Sequence, residues 1–112
     1  FNVGFGGQVR ADKEANYPGD DAVGEWMHTI LSCDRESNTV KLYTNFREAF
    51  GIEFPEGLKN KSFDGRGLKM HIGQDGRGTY GYSLNAQIDD FIIYDGAMTD
   101  DEVKSLAEYY KK

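Results

Sequence analysis

Residues 75–82, with the sequence DGRGTYGY, combine side-chain types that recognise small polar ligands. Tyr80 and Tyr82 can stack on the apolar face of a sugar ring, while Asp75 and Arg77 can form hydrogen bonds with its hydroxyl groups. The alternative is a mobile hairpin loop whose tyrosines cover the edge of a sheet. These four side chains are therefore the candidate ligand-binding residues of this sequence.

A second stretch, QIDDFIIYD at residues 87–95, places two acids at the start of a strongly apolar run. In an extended strand, Asp89 would share one face with Phe91 and Ile93, and the opposite face would also be mostly apolar. A carboxylate in that position must be exposed at the rim of the sheet, hydrogen-bonded, or neutralised by a cation. Asp89 is the candidate residue for the last of these roles.

Composition and charge favour a folded domain and exclude several classes of function. The net charge of −6 over 112 residues disfavours a nucleic-acid partner, which would require a basic surface. No apolar run has the length of a membrane span. Cys33, the single cysteine, cannot form an internal disulfide or, with two histidines, a zinc site. Fourteen glycines predict many tight turns.

Common catalytic motifs are absent from the sequence. It contains no G-x-S-x-G nucleophile elbow, no phosphate-binding P-loop and no H-E-x-x-H metal motif. Cys33 also has no credible histidine partner for nucleophilic catalysis. Trp26 and His28 open an apolar strand, where packing and a satisfied structural group are their expected roles. We therefore expect a protein without enzymatic activity.

Alternating apolar and polar residues predict a mainly β-stranded chain. Residues 26–34 and 39–46 alternate with period two and flank the turn sequence RESN, which indicates a β-hairpin. Further strands are predicted in FNVGFGGQVRAD (1–12, broken by a bulge at Gly6-Gly7), FGIEF (50–54), LKMHIG (68–73) and QIDDFIIYD (87–95, the most apolar).

The final residues, MTDDEVKSLAEYYKK (98–112), have the pattern of a short helix. Thr99 followed by Glu102 forms a capping-box sequence, and the acids of residues 100–102 suit the positive end of the helix dipole. An apolar stripe is expected to pack on the β-strands; it consists of Val103, Leu106, Ala107 and Tyr110.

Two segments together resemble a known family. GEWMHTILSCDRESNTVKLYTN (24–45) resembles the W-x-H-hydrophobic hairpin of laminin-G-like, concanavalin A-like jelly-roll domains. LKMHIGQDGRGTYGYSLNAQIDDFIIYDGAMTDDEVKSL (68–106) resembles their C-terminal signature, in which an Ile-Gly strand, a glycine-rich loop, an Ile-Asp-Asp strand and an acid-led helix follow in order. The resemblance covers most of the chain.

This resemblance implies an all-β fold, a two-sheet antiparallel β-sandwich of the concanavalin A-like jelly-roll type with a short C-terminal helix. Residues 1–112 would form a single laminin-G-like domain that lacks its N-terminal strands, because about six strands are visible where the family has about a dozen. Either the missing N-terminal segment of the same domain acts as a partner, or the fold is a compact variant. The turn at residues 45–47 departs from the family, since it lacks the usual glycine.

The function implied by the resemblance is a non-catalytic carbohydrate-binding, lectin-like module of a larger protein. The alternative is an adhesion or spacer module that binds protein or has a structural role. In related domains an aspartate that matches Asp89 helps to bind a structural Ca²⁺ ion, which makes calcium the expected cofactor. The E-x-D-x-x-E strand of glycosidases with this fold is absent. A secreted or cell-surface bacterial protein, longer than the chain that starts at Phe1, is expected.

Overall fold

A computed structural model describes the protein at residues 2–5, 9–12, 23–54, 67, 70–73, 81 and 83–111. The chain divides into two compact units, of which the first comprises Phe1–Lys61 and Tyr94–Lys112 and the second Ser62–Ile93. The described elements are β1 (Asn2–Phe5), β2 (Val9–Asp12), β3 (Thr29–Asp34), β4 (Thr39–Thr44), β5 (Arg47–Glu53) and the helix α1 (Asp100–Tyr110).

All described strands pair with antiparallel neighbours. β1 pairs with β2, and β3, β4 and β5 form a three-stranded sheet with β4 in the centre. The antiparallel all-β class with a C-terminal helix is thus confirmed. The single bulged strand expected at the N-terminus is wrong, since the chain reverses between Phe5 and Val9. A glycine pair permits a reversal as readily as a bulge, and reversal gives both segments a ladder partner.

The predicted hairpin of β3 and β4 is confirmed, and its turn is built around one carboxylate. Asp34 Oδ1 accepts hydrogen bonds from the backbone amides of Glu36 (2.8 Å) and Ser37 (3.2 Å), while Oδ2 accepts one from the Ser37 hydroxyl (2.6 Å). These three bonds lower the pKa of Asp34, with the hydroxyl bond as the largest cause. An aspartate at the first turn position thus supplies local partners for the backbone.

Alternation in β4 places two core residues on one face of the three-stranded sheet, and Tyr43 on the opposite face is buried as well. The two core residues are Val40 and Leu42, and Val40 is fully enclosed. Val40 and Phe54 form a buried cluster against which Cys33 and Ile52 pack. Phe54 follows β5, and its backbone forms two hydrogen bonds with Asn38, the residue directly before β4. Its burial therefore depends on the pairing of β5 with β4.

The tight turn between β4 and β5 contains no glycine, although both turn residues have left-handed backbone angles. Asn45 has φ of 47° and Phe46 has φ of 63°, the signs that a two-residue hairpin turn of type I′ requires. Asn45 tolerates this conformation and exchanges hydrogen bonds with the His28 backbone, at 2.8 and 3.0 Å. The Phe46 ring stacks on the His28 ring at 4.1 Å and lies 5.9 Å from the Tyr110 ring. The absence of the family glycine is thus accommodated by Asn45 and by ring packing.

The helix α1 forms as its sequence predicts. Thr99 is the N-cap, its hydroxyl accepts from the Glu102 amide, and the Glu102 carboxylate accepts from the Thr99 amide at 2.7 Å. Val103 is buried and Tyr110 contacts two rings of the first unit. The capping box is therefore confirmed, whereas the apolar stripe is buried only at Val103, half-buried at Leu106 and Ala107, and exposed at Tyr110.

Residues 87–94 are not a strand in the structure, which corrects the interpretation of this segment as the most apolar strand of the domain. All of these residues are exposed, and Asp90 has a φ of 49°, outside the extended region. Among the described residues no strand pairs with this segment. An alternating pattern favours an extended backbone, but a strand forms only where a neighbour supplies hydrogen bonds.

Trp26 is also placed differently from expectation. It was expected to pack in the core, but 68% of its surface is exposed. β3 begins at Thr29, so Trp26 precedes the first paired residue and no ladder carries it into the sheet. The tryptophan of the hairpin motif thus remains at the surface of the first unit.

Candidate functional site

The four residues predicted to bind a ligand, Asp75, Arg77, Tyr80 and Tyr82, lie outside the residues that the structure describes. The base of their loop is described. The Leu84 amide donates a hydrogen bond to the Gly73 carbonyl at 2.6 Å. This hydrogen bond brings together the two ends of the segment that carries the four side chains.

Gly73 is required at the base of this loop for two reasons. Its φ of 77° is a left-handed conformation that other residues adopt at a cost. A Cβ atom at position 73 would also lie 3.0 Å from the Leu84 Cβ atom. The closure of the loop thus depends on a residue without a side chain.

The first unit contains an open polar cleft of about 630 Å³. One wall is the turn that follows β3, and the other is the segment before α1. The floor includes Lys41 and Tyr43, which lie on the face of β4 opposite to Val40 and Leu42. We call this feature the polar cleft; it is lined by residues 33–37, Thr39, Lys41, Tyr43 and 96–100.

Asp100 links the start of the helix to the floor of the polar cleft. Its carboxylate accepts hydrogen bonds from Lys41 Nζ at 2.8 and 3.1 Å and from the Tyr43 hydroxyl at 2.5 Å. Lys41 also pairs with Glu48 at 3.2 Å. The bond from Lys41 and then that from Tyr43 lower the pKa of Asp100. Burial, followed by the hydrogen bond to Asp100, raises the pKa of Tyr43 to about 12.

Ser32 supplies a second link between the sheet and the segment before α1. Its hydroxyl donates to the Met98 carbonyl and accepts from the Met98 amide, both at 2.9 Å. A buried hydroxyl is thereby satisfied on both sides. This reciprocal pair and the Asp100 contacts fix the second wall of the polar cleft against β3 and β4.

Asp100 makes the stability of the first unit depend on pH. Its folded pKa lies below its unfolded pKa, so its contribution is present above about pH 4 to 5 and is lost as pH falls through the folded value. We expect Asp100→Asn to lower the urea midpoint at pH 7. The difference from the wild type should shrink as the pH falls through the folded pKa of Asp100, because the wild-type carboxylate then also becomes protonated. Urea titrations monitored by circular dichroism over a series of pH values from 7 downward measure this.

Asp101→Asn is the control for this prediction. Asp101 also lies in the first turn of α1, but its only described ion pair is with Lys104, at the surface and 2.9 Å away. It reports the effect of the helix dipole without the contacts to β4. A loss of stability as large for Asp101→Asn as for Asp100→Asn would contradict a special role for Asp100.

No pattern in the sequence directly indicated the contacts of Asp100 with Lys41 and Tyr43. Residues 100–102 were interpreted as favourable charge at the helix N-terminus, which is correct for the capping residue Glu102 but incomplete for Asp100. The available signal was the pair Lys41 and Tyr43, two polar-tipped residues on the face of β4 opposite to Val40 and Leu42. Such side chains need acceptors when a second element covers them.

The described carboxylates do not by themselves form a metal centre. Within the described part of the chain, no three His, Cys, Asp or Glu residues are grouped so as to hold a metal ion. Asp89 is exposed, and its Oδ1 accepts the Asp90 amide at 2.9 Å, as the hydrogen-bonded alternative expects. Ca²⁺ requires six to eight oxygen ligands, which include backbone carbonyls. A calcium ion at Asp89 remains a prediction that depends on further oxygen ligands.

Comparisons with known proteins agree with the antiparallel strands and the C-terminal helix. Residues 1–104 match the family model Laminin_G_3, described as the concanavalin A-like lectin/glucanases superfamily. The chain therefore belongs to the Laminin_G_3 family of concanavalin A-like domains. No curated protein matches the chain.

One solved structure has a similar fold. It is the 2.1 Å crystal structure of an S-layer domain-containing protein (residues 221–444) from Clostridium thermocellum ATCC 27405. The two chains are 25% identical with a TM-score of 0.57, and the match covers 88% of this chain and 44% of that chain. This chain thus spans less than half the length of its solved neighbour. Within the described residues, no helix has the length and apolar character needed to cross a membrane.

Proposed function

We propose that this domain is a non-catalytic carbohydrate-binding module of a larger secreted or cell-surface protein. Membership of a family described as lectins and glucanases supports a sugar ligand. The observation that supports the proposal is the hydrogen bond between Gly73 and Leu84, because it brings together the two ends of the segment that carries the four candidate side chains. Tyr80 and Tyr82 would stack on the sugar ring, and Asp75 and Arg77 would bind its hydroxyl groups.

The electrostatics of the polar cleft support a role without catalysis. A glycosidase requires one carboxylic acid that keeps its proton near neutral pH, hence a raised pKa. Asp34 and Asp100, two acids that line the cleft, both have lowered pKa values because hydrogen bonds stabilise their charged forms. Both carboxylates are committed to structural contacts. Neither Asp34 nor Asp100 therefore keeps the proton that glycoside hydrolysis would require of an acid in this cleft.

Loss of the loop tyrosines is expected to weaken glycan binding. An aromatic contact contributes about 0.5–1.5 kcal/mol, which corresponds to roughly 2- to 12-fold in affinity. We expect Tyr80→Ala and Tyr82→Ala each to reduce retention on polysaccharide affinity gels by such a factor, and the double variant to remove it. Gly73→Val should also weaken retention, because it opens the base of the loop.

Tyr109→Ala is the matched control, since Tyr109 is an exposed tyrosine on α1, in the other compact unit. It should bind as the wild type does. A glycan array and affinity gels identify the ligand before the variants are compared. Retention that survives both loop substitutions would remove residues 75–82 from the proposal.

The second candidate function is an adhesion or spacer module at the cell surface. The similarity to an S-layer domain-containing protein favours it, because that protein is named for a surface layer. This role requires no sugar site. A domain that binds no glycan on the array but is retained by isolated cell-envelope protein would favour the second candidate over the first.

A further inference from the structure

The polar cleft has the dimensions of a binding site, and neither candidate function uses it. Its volume of about 630 Å³ lies within the range of about 300–1,000 Å³ that is typical of ligand sites. The wall before α1 is fixed, since Ser32 holds Met98 through two hydrogen bonds of 2.9 Å and Asp100 binds the floor. A cleft whose wall is already ordered can bind a partner without the entropic cost of ordering it.

Negative charge is in excess in the polar cleft. Three carboxylates line it, those of Asp34, Glu36 and Asp100, together with two cationic side chains, those of Arg35 and Lys41. Hydrogen bonds lower the pKa values of Asp34 and Asp100, so both carboxylates are ionised at neutral pH. The cleft therefore disfavours an anionic ligand.

Lys41 does not offset this excess, because two carboxylates share its one ammonium group. Lys41 Nζ lies 2.8 Å from Asp100 Oδ1 and 3.2 Å from Glu48 Oε2. The net charge of −6 on the chain acts in the same direction. Charge complementarity thus favours a partner that brings a positive charge into the cleft.

Glu36 is the carboxylate of the polar cleft that an incoming cation can reach. Its backbone amide donates to Asp34 in the turn, but its exposed side chain forms no ion pair or hydrogen bond with any other residue that the structure describes. The carboxylates of Asp34 and Asp100, in contrast, already accept hydrogen bonds. A cation that enters the cleft would therefore pair with Glu36.

The wall before α1 offers backbone groups and apolar surface to the same partner. Gly96 and Ala97 are exposed, and within the described ranges their backbone groups form no hydrogen bond. An extended peptide can satisfy such groups with its own main chain. Ala97 and Met98 line this wall, and the aliphatic stem of a lysine or arginine covers apolar surface while its charged end stays in water. These features together match a basic peptide segment.

We propose that the polar cleft is an interaction site for a basic segment of a partner protein, in which a lysine or arginine side chain pairs with Glu36. The main chain of the segment forms hydrogen bonds with Gly96 and Ala97 on the opposite wall. All residues of the cleft belong to the first compact unit, whereas the candidate sugar loop at residues 75–82 belongs to the second. The interaction is therefore independent of sugar binding.

The test titrates the isotope-labelled 112-residue chain with a short glycine–serine peptide that carries one central lysine, followed by nuclear magnetic resonance at low ionic strength. A twin peptide carries acetyl-lysine, which removes only the charge. We expect the amide signals of residues 34–37 and 96–98 to shift, and the lysine peptide to bind about 2- to 5-fold more tightly than its twin, the value of an exposed ion pair.

Three results would overturn the proposal. The first is the absence of shifts at these amides, and the second is equal affinity for the two peptides. The third comes from a glucosamine tetramer, which presents the same ammonium chemistry on a sugar. Tighter binding of this tetramer than of the lysine peptide would assign the cleft to an amino sugar and not to a protein partner.

Glu36→Gln and Glu25→Gln form a matched pair for this test. Both glutamates are exposed, so neither change should alter the melting temperature. Glu25 precedes β3 and lies outside the polar cleft, yet its replacement changes the net charge by the same amount. Glu36→Gln should abolish the preference for lysine over acetyl-lysine, and Glu25→Gln should preserve it. An equal loss of preference in both variants would make net charge the cause and overturn the role of the cleft.

Discussion

Replacement of Phe54 by alanine is expected to lower the free energy of unfolding by about 3–5 kcal/mol, the range for phenylalanine-to-alanine substitutions in a packed core. Phe54 is 3% exposed and packs on the fully buried Val40. Its backbone is fixed, since its amide donates to the Asn38 carbonyl and its carbonyl accepts from the Asn38 side chain, both at 2.8 Å. The core therefore cannot easily shift to fill the cavity. A domain of this size has only about 5–15 kcal/mol in total.

Urea denaturation monitored by circular dichroism measures the effect of Phe54→Ala. The midpoint should fall while the dependence on urea concentration stays the same, which indicates lost stability and not a changed unfolded state. Val23→Ala is the control, because Val23 is exposed and should change the free energy of unfolding by less than about 0.5 kcal/mol. A loss below 1 kcal/mol for Phe54→Ala would contradict the assignment of Phe54 to the core.

The elements that could be predicted from sequence are those whose signals are local. The β3–β4 hairpin has alternation on both arms and an Asp34-led turn between them, and the hydrogen bonds that build this turn join residues within three positions along the chain. The helix α1 carries its own start signal in Thr99 and Glu102. Local chemistry determines both elements, so both predictions are confirmed.

The predictions that failed depend on partners distant in sequence. Residues 87–94 alternate as a strand should, but a strand requires a neighbour that no pattern within the segment specifies. The N-terminal segment was interpreted as one strand because Gly6-Gly7 fits either a bulge or a reversal. Trp26 was assigned to the core from its residue type, whereas burial depends on whether the ladder begins before or after it.

The candidate site shows the same difference between features that depend on residue type alone and features that depend on distant contacts. The loop residues Asp75, Arg77, Tyr80 and Tyr82 were selected by type and spacing, which need no fold. The closure of their loop depends on contact between Gly73 and Leu84, and this contact is visible only in three dimensions. Residue types thus indicated what could bind a ligand, and the structure added the contact between the two ends of that segment.

The second large effect is expected for Val103→Asp, which should detach α1 from the sheet. Val103 is 1% exposed and is the buried residue of the helix. The variant loses about 1.5–3 kcal/mol of apolar burial and must also bury a carboxylate or bring it to solvent by moving the helix. An 11-residue helix is marginal in water without tertiary contacts, so detachment should unfold it. We expect a loss of at least about 3 kcal/mol in unfolding free energy.

Circular dichroism and hydrogen exchange measure this outcome together. The helical signal should fall, amides in α1 should lose protection, and the tyrosine near-ultraviolet signal should change as Tyr110 leaves Phe46. Ser105→Asp places the same charge on the exposed side of the same helix and should cost only a few tenths of a kcal/mol from repulsion with Asp101. If both variants lose stability equally, added negative charge is the cause and the docking of α1 through Val103 is wrong. The expected result is a larger loss for Val103→Asp, with the helix signal lost in that variant alone. This result would show that burial of the Val103 side chain holds α1 in place, in addition to the polar contacts of Asp100 with β4 and the ring contacts of Tyr110.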